Sequence, residues 1–269
     1  LSSLLLLFIL SVTLGVLYIR DRDLQSVPEL SKTKPVPTNS SIPALSERAT
    51  AIWALELGCD VYIVFSNRES EKPTPISLDS LPNEDFHVKR ITFPIEQNIT
   101  KNLLNQLAGL KKLYKLTIHD CSIEDDALKA IINLTSLEKL DFHQTGITDK
   151  GLSHLVELIN LTNLSLQFNQ NITDEGLQIL NQFEKLESVN LARTNISDKG
   201  LNFIQNNPKI RWLNIEATQV SDESVKHLLK LRQLKNLYLN DSRISEEGIK
   251  EIRLSFGKND PLPRLPNGK

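Results

Sequence analysis

The apolar positions of this chain fall into a repeating frame. Leu113, Leu116, Ile118 and Ile123 set a pattern that returns as Leu137, Leu140, Phe142, Ile147 and as Leu161, Leu164, Leu166, Ile172. It continues as Leu186, Val189, Leu191, Ile196, as Ile210, Leu213, Ile215, Val220 and as Leu234, Leu237, Leu239, Ile244. Successive copies start 24, 24, 25, 24 and 24 residues apart, and a degenerate earlier copy runs through Ile91, Phe93 and Ile99. A period held over six copies marks a solenoid, in which each unit buries its apolar face only against its neighbours. The alternating first half of each copy predicts a strand with Leu116 and Ile118, and their equivalents, pointing inward.

The second half of each copy carries a helix start. In Ile147-Thr148-Asp149-Lys150-Gly151-Leu152, Thr148 is placed to be the N-cap and Asp149 to sit in the first turn, where the helix dipole favours a carboxylate. Ile147 and Leu152 take the positions of a hydrophobic staple. The acid recurs as Asp125, Asp174, Asp198, Asp222 and Glu246. Two residues after it stands a small residue every time: Ala127, Gly151, Gly176, Gly200, Ser224 and Gly248. A helical glycine costs about 1 kcal/mol against alanine, so its recurrence predicts that the backbone of the next repeat packs closely there. These acids and glycines are expected to be capping and packing residues, not a catalytic set.

The copies resemble the leucine-rich repeat family, with its L-x-x-L-x-L-x-x-N/C-x-L signature, over residues 88 to 253. The resemblance implies an α/β solenoid with parallel strands on the concave side and helices on the convex side. The I-T-D-x-G-L half is similar to membrane-anchored bacterial leucine-rich repeat proteins and to the repeat half of F-box substrate receptors. The ladder position that the family fills with Asn or Cys is here Cys121, Thr145, Asn169, Thr194, Thr218 and Ser242. The loop hydrogen bonding is therefore expected to be rebuilt with hydroxyls.

Upstream, residues 1–19 carry no charge and as a helix would span roughly 28 Å, close to the hydrocarbon thickness of a bilayer. A cleaved signal peptide wants small residues after the apolar run, but this one ends Val16-Leu17-Tyr18-Ile19, so a retained single-pass anchor is the reading taken. The absence of methionine suggests that the true N-terminus is missing. Residues 20–43, with Pro28, Pro35, Pro37 and Pro43, read as a flexible linker. Residues 44–87 read as an N-terminal cap: a helix ending near Gly58, with Ala49, Ile52, Trp53 and Leu57 on its apolar stripe, then a strand over Asp60–Phe65 and a polar loop over Ser66–Asp85. The strand His87–Phe93 follows and leads into repeats spanning 88–254. Residues 255–269 read as a disordered tail.

Composition narrows the function classes. The charge is near balance, 31 basic against 33 acidic residues, which offers no footprint for a nucleic-acid partner. Two cysteines rule out a disulfide scaffold, and Cys121 on the inward ladder is expected to be buried and inert. No nucleophile elbow, phosphate loop, zinc-binding helix or dinucleotide fingerprint is present, so no enzyme and no cofactor are expected.

Chemistry is left to the outward positions of the strands. Lys115, Thr117, His119, Lys139, Asp141 and His143 open this lattice, and Trp212, Asn214, Glu216, Asn236, Tyr238 and Asn240 close it. Trp212 and Tyr238 are large aromatics that core packing does not explain, and such residues dominate binding hot spots. The candidate partner-binding set is Trp212, Tyr238, Glu216, Asn240, Arg193 and His143. His119, His143 and Asp141 are of metal-ligating type, but a flat sheet splays them and no metal is expected. Asn-x-Ser/Thr sequons lie in repeat turns and on the lattice, where glycans would clash, which leans away from a eukaryotic secretory protein. The expectation is a non-catalytic module that recognises another protein through its concave face, at a membrane, with its head extracytoplasmic. The alternatives are a self-assembling envelope protein and, from the F-box resemblance, an adaptor in protein turnover.

Overall fold

Equivalent strands of successive repeats pair in parallel without slipping. In the computed structural model, which describes residues 45–256, the main sheet contains β1 (Asp60–Phe65), β2 (Thr74–Ile76), β3 (Phe86–Thr92), β5 (Lys115–His119) and β7 (Lys139–His143). It continues through β8 (Asn163–Ser165), β9 (Ser188–Asn190), β10 (Trp212–Asn214) and β11 (Asn236–Tyr238). Its order is β11-β10-β9-β8-β7-β5-β3-β1-β2, and a second small sheet joins β4 (Asn98–Ile99) to β6 (Ser122–Ile123). Leu116 registers with Leu140, Leu164 with Val189 and Leu213 with Leu237. The inward residues therefore stack into one continuous core in which nearly every ladder Leu and Ile is sealed from solvent. Each such side chain contributes about 1.5–3 kcal/mol when fully buried.

The cap joins the repeats through a shared strand. β3 pairs antiparallel with β1 on one side and parallel with β5 on the other. Its helix α1 (Glu47–Glu56) is capped by Ser46, whose hydroxyl accepts from the Ala49 N–H. The buried stripe of α1 is Thr50, Ala51 and Ala54 rather than Ala49, Ile52, Trp53 and Leu57. Small residues let the helix lie close on the sheet, while Trp53 leans edge-on against Phe93 at 6.5 Å between ring centres. The polar segment expected as a loop contributes β2 and a helical turn at Leu78–Ser80.

The convex side holds short helices where the spacing left little room. One period must contain a strand, a turn and a return. The return is a brief α-helix at α2 (Lys101–Asn105), α3 (Asp149–Ser153), α4 (Asp198–Ile204) and α5 (Val225–Leu228). It is a 3-10 turn at Asp125–Ala130 and Gly176–Gln182. α6 (Glu246–Phe256) is the longest, and it takes in Ser255 and Phe256, the first residues of the expected tail, with Phe256 buried. The expected anchor, linker and remaining tail lie outside the described residues.

The first-turn acids do more than complement a dipole: each ties its repeat to the next. Asp125 accepts from the Thr148 N–H at 3.0 Å and from its hydroxyl at 2.7 Å. Asp149 does the same with Thr173, Asp174 with Ser197 and Asp198 with Ser221. The hydroxyl that donates to the acid also accepts from the N–H two residues on, as Thr148 does from Lys150. The recurrent glycine packs against the acid of the preceding repeat, not the backbone of the following one. A Cβ on Gly151 would stand 2.2 Å from Asp125 Oδ1, and one on Gly176 2.2 Å from Asp149 Oδ1. Two departures obey the same geometry. Ser224 replaces glycine and donates its hydroxyl to Asp198. Ala127 replaces it where the preceding repeat carries Lys101 in place of the acid.

The inner ladder is satisfied as its hydroxyls suggest. Thr194 and Thr218 donate to Leu191 O at 2.6 Å and to Ile215 O at 2.7 Å. Asn169 serves two turns at once. Its Oδ1 accepts from Thr145 N and Gly146 N, and its Nδ2 donates to Phe142 O and Leu166 O.

Candidate functional site

The strands leave one face of the sheet without a covering layer of helices, and this face is only partly open. Thr117 is 4% exposed and Ala192 2%, and Asn214 is also buried. These outward positions were expected to be free. Between parallel strands about 4.8 Å apart, larger neighbours fold over small ones. Thr117 lies in register between Thr92 and Asp141, and Asn214 between Asn190 and Tyr238.

The six candidate residues resolve into two groups. Trp212 and Tyr238 come together on β10 and β11 with ring centres 5.2 Å apart and tilted by 46°. Trp212 has only Ser188 and Asn236 beside it in register, so its ring is half-buried by Tyr238 lying diagonally across the next strand. Glu216 follows β10, where its carboxylate accepts from Asn214 Nδ2 at 3.2 Å and from Asn240 Nδ2. Asn240 and Glu216 thus hold each other beside the aromatic pair.

His143 and Arg193 form the second group, and a residue outside the expected set joins them. The Phe168 ring lies 4.9 Å from the His143 ring on one side and 5.1 Å from the Arg193 guanidinium on the other. Phe168 is 36% exposed. A cation held over an aromatic face and a tilted ring beside it both favour this stack. His119 extends it, 5.4 Å from His143, with its Nε2 2.9 Å from Asp141 Oδ2.

Backbone geometry explains why Phe168 escaped the alternation rule. It belongs to a column just past the strands, with Glu96, Asp120, Gln144, Arg193, Ala217 and Asp241, and all seven have φ between 51° and 63°. This left-handed turn costs each non-glycine residue of order 1 kcal/mol. It persists because the N–H still reaches the next repeat: Phe168 N donates to Ala192 O at 3.0 Å and Arg193 N to Glu216 O at 2.9 Å. Of these residue types only Asp, at Asp120 and Asp241, favours positive φ, and Phe, Gln, Glu, Arg and Ala do not announce it. The one available signal was an apolar residue in a column otherwise mostly polar.

Other candidate chemistry is absorbed by the fold. Cys59 and Cys121 are both free thiols and buried. Burial, then the charges of Asp60 and Cys121, push the Cys59 thiol up to about 12, so it holds little reactive thiolate. Among the described residues no group of three or more His, Cys, Asp or Glu is placed to hold a metal ion. Also among the described residues, no helix is long and apolar enough to cross a membrane.

Comparisons with known proteins agree with this architecture. A family model described as "Leucine Rich repeat" matches residues 133–156, 157–180 and 184–204. No curated protein matches the chain. Among solved structures, the chain is similar to internalin C2 of Listeria monocytogenes str. 4b F2365, at 16% identity and a TM-score of 0.54, over 84% of this chain and 100% of that one. It is also similar to an internalin (inlF) of the same strain, at 19% identity and a TM-score of 0.38, over 61% of this chain and 63% of that one. The first likeness is one of fold. The matched segments are leucine-rich repeats, and they sit in unbroken register with their neighbours on the parallel sheet.

Proposed function

We propose that the chain is a non-catalytic recognition module that binds another protein through the open, concave face of its repeats, and that residues 1–19 hold it at a membrane with the head outside the cytoplasm. The observation that carries this reading is the pair of aromatic groups on the sheet face: Trp212 with Tyr238, and Phe168 between His143 and Arg193. Large rings presented among polar side chains are the usual anchors of protein interfaces, and solenoids use extended faces of this kind for binding. The uncharged first nineteen residues support the anchor, and the absence of nucleophile or cofactor motifs supports a non-catalytic role.

The test is capture of a partner from native membranes by the full chain, comparing wild type with Trp212→Ala/Tyr238→Ala and with Phe168→Ala. A protein retained by wild type and lost with folded variants is the expected result. The same proteins captured by all three would remove the face from consideration, and concentration-dependent self-association would move the role to assembly. Extraction of the chain from membranes by alkaline carbonate would overturn the anchor without touching the recognition reading.

A further inference from the structure

The nearly balanced charge conceals a segregation that the solenoid creates. The edge where the convex segments begin carries the acids: Asp125, Asp149, Asp174, Asp198 and Asp222, one per repeat. The opposite edge, where strands begin, carries a cationic cluster in the last two repeats. Lys209 and Arg211 lead into β10, and Arg232 and Lys235 lead into β11. All four are exposed, and among the described residues none takes part in an ion pair.

Two details set this cluster apart from ordinary surface charge. Arg211 and Lys235 hold the same position in adjacent repeats, and Lys235 N donates to Arg211 O at 2.8 Å, so the two cations stand side by side. Like charges paired across strands oppose folding. That same position is Glu138 and Glu187 in earlier repeats, so a sequence able to alternate sign places two cations together here. The cluster also adjoins Trp212, the residue after Arg211, and through it Tyr238.

We infer that the strand-start edge of the last two repeats receives a short acidic segment of the partner polypeptide, with the Trp212–Tyr238 pair as its apolar neighbour. This rests on the recognition reading above and supplies the partner's chemistry. Size selects a short peptide segment over a polyanion. The cluster covers two strands, about 5 Å apart; on the side of the earlier repeats Glu184 and Glu187 bound it, and Lys185 between them is turned to Asn160 Oδ1 of the repeat before. A nucleic acid or an anionic bilayer gains affinity by meeting many cations over a long track, and the acids of the middle repeats interrupt one. A few carboxylates beside an apolar side chain match the cations and rings that are present. Guanidinium groups also grip carboxylates bidentately.

The experiment measures binding of a fluorescein-labelled decaglutamate to the full chain in detergent at low salt, by anisotropy. Arg211→Glu/Lys235→Glu is expected to weaken binding at least tenfold, whereas Lys111→Glu/Lys112→Glu, at the other end of the solenoid, changes it less than twofold. Unchanged far-ultraviolet dichroism and thermal midpoint would show that both variants fold. No binding by wild type, or equal loss in both variants, overturns the proposal. A ten-nucleotide thymidylate strand in the same detergent, or phosphatidylserine added to the micelles, binding more tightly at the same residues also overturns it, and assigns the edge to that class instead. Repeating the membrane capture separates the two failures. A partner lost with Trp212→Ala/Tyr238→Ala but kept with Arg211→Glu/Lys235→Glu leaves recognition standing and removes only the acidic segment.

Discussion

The two edges of the solenoid use charge in opposite ways. On the edge where the convex segments begin, each acid from Asp125 to Asp198 accepts from a backbone N–H and a hydroxyl of the next repeat. The residue chemistry there is locked to the period, because a carboxylate in one repeat and a glycine in the next define each other's space. On the strand-start edge of the described residues, side-chain ties between repeats occur singly, as from Lys185 to Asn160 and from Asn160 to Thr135 O, and do not recur with the period. The equivalent positions read Tyr114, Glu138, Thr162, Glu187, Arg211 and Lys235, with no residue type common to all. Where the fold needs a residue the period preserves it; where it does not, the position is free to serve a partner.

Breaking the locked edge should have the largest effect. Gly176→Ala places a methyl 2.2 Å from Asp149 Oδ1 and 2.9 Å from its carboxyl carbon. We expect a loss of about 3 kcal/mol in chemical denaturation, against a gain of up to about 1 kcal/mol for the same change in an unhindered helix. Adding Asp149→Ala should recover at least about 1 kcal/mol relative to additivity, since the two groups are in contact. Additive losses would mean that the glycine is not there for the carboxylate.

Next comes the acid itself. Asp174 accepts from Ser197 N, the Ser197 hydroxyl and Gly200 N. Asp174→Ala leaves these half-buried donors without their acceptor and should cost about 2 kcal/mol in the same measurement. A cost near zero would show that water replaces the tie between repeats.

The serine variant of the motif adds a dependence on pH. Burial pushes the Asp198 carboxyl up, but hydrogen bonds from Ser224 and Ser221 outweigh it and hold the group below its usual 3.8. A depressed native value contributes stability that is complete above that usual value and is lost as pH falls through the native one. Ser224→Ala removes one donor, so wild type should exceed it by about 1 kcal/mol at neutral pH. Thermal melts should show the two converging on acidification below 3.8; a gap that stays constant would place the effect outside this carboxylate.

The unlocked edge should respond least. Lys235→Glu sets an acid beside Arg211 and should change stability by no more than about 0.5 kcal/mol, in the stabilising direction. A loss above about 1 kcal/mol in thermal denaturation would show that this edge, too, is structural.

How far the fold could be read ahead follows from what its signals depend on. The repeat starts gave strand register, the inward ladder and the hydroxyl substitutions at Thr194 and Thr218, because these rest on spacing and on backbone groups every repeat shares. The same logic brought Trp212 and Tyr238 to one face. It missed Phe168, whose column lies one residue beyond the alternating strand and takes a left-handed turn that Phe, Gln and Arg do not advertise. It also put the deepest line of α1 one step off: close approach to the sheet buries Thr50, Ala51 and Ala54, while Trp53 and Leu57 pack against the core only in part.

By itself the sequence determined the period, the inward residues and the type of repeat, since each follows from hydrophobic positions along one chain. Only the tertiary structure decided which residues of different repeats meet. It set Gly176 against Asp149, placed Phe168 between His143 and Arg193, and gathered four cations on one edge of a chain with balanced charge. These are distances between residues some 24 positions apart, and such distances exist only once the strands have stacked.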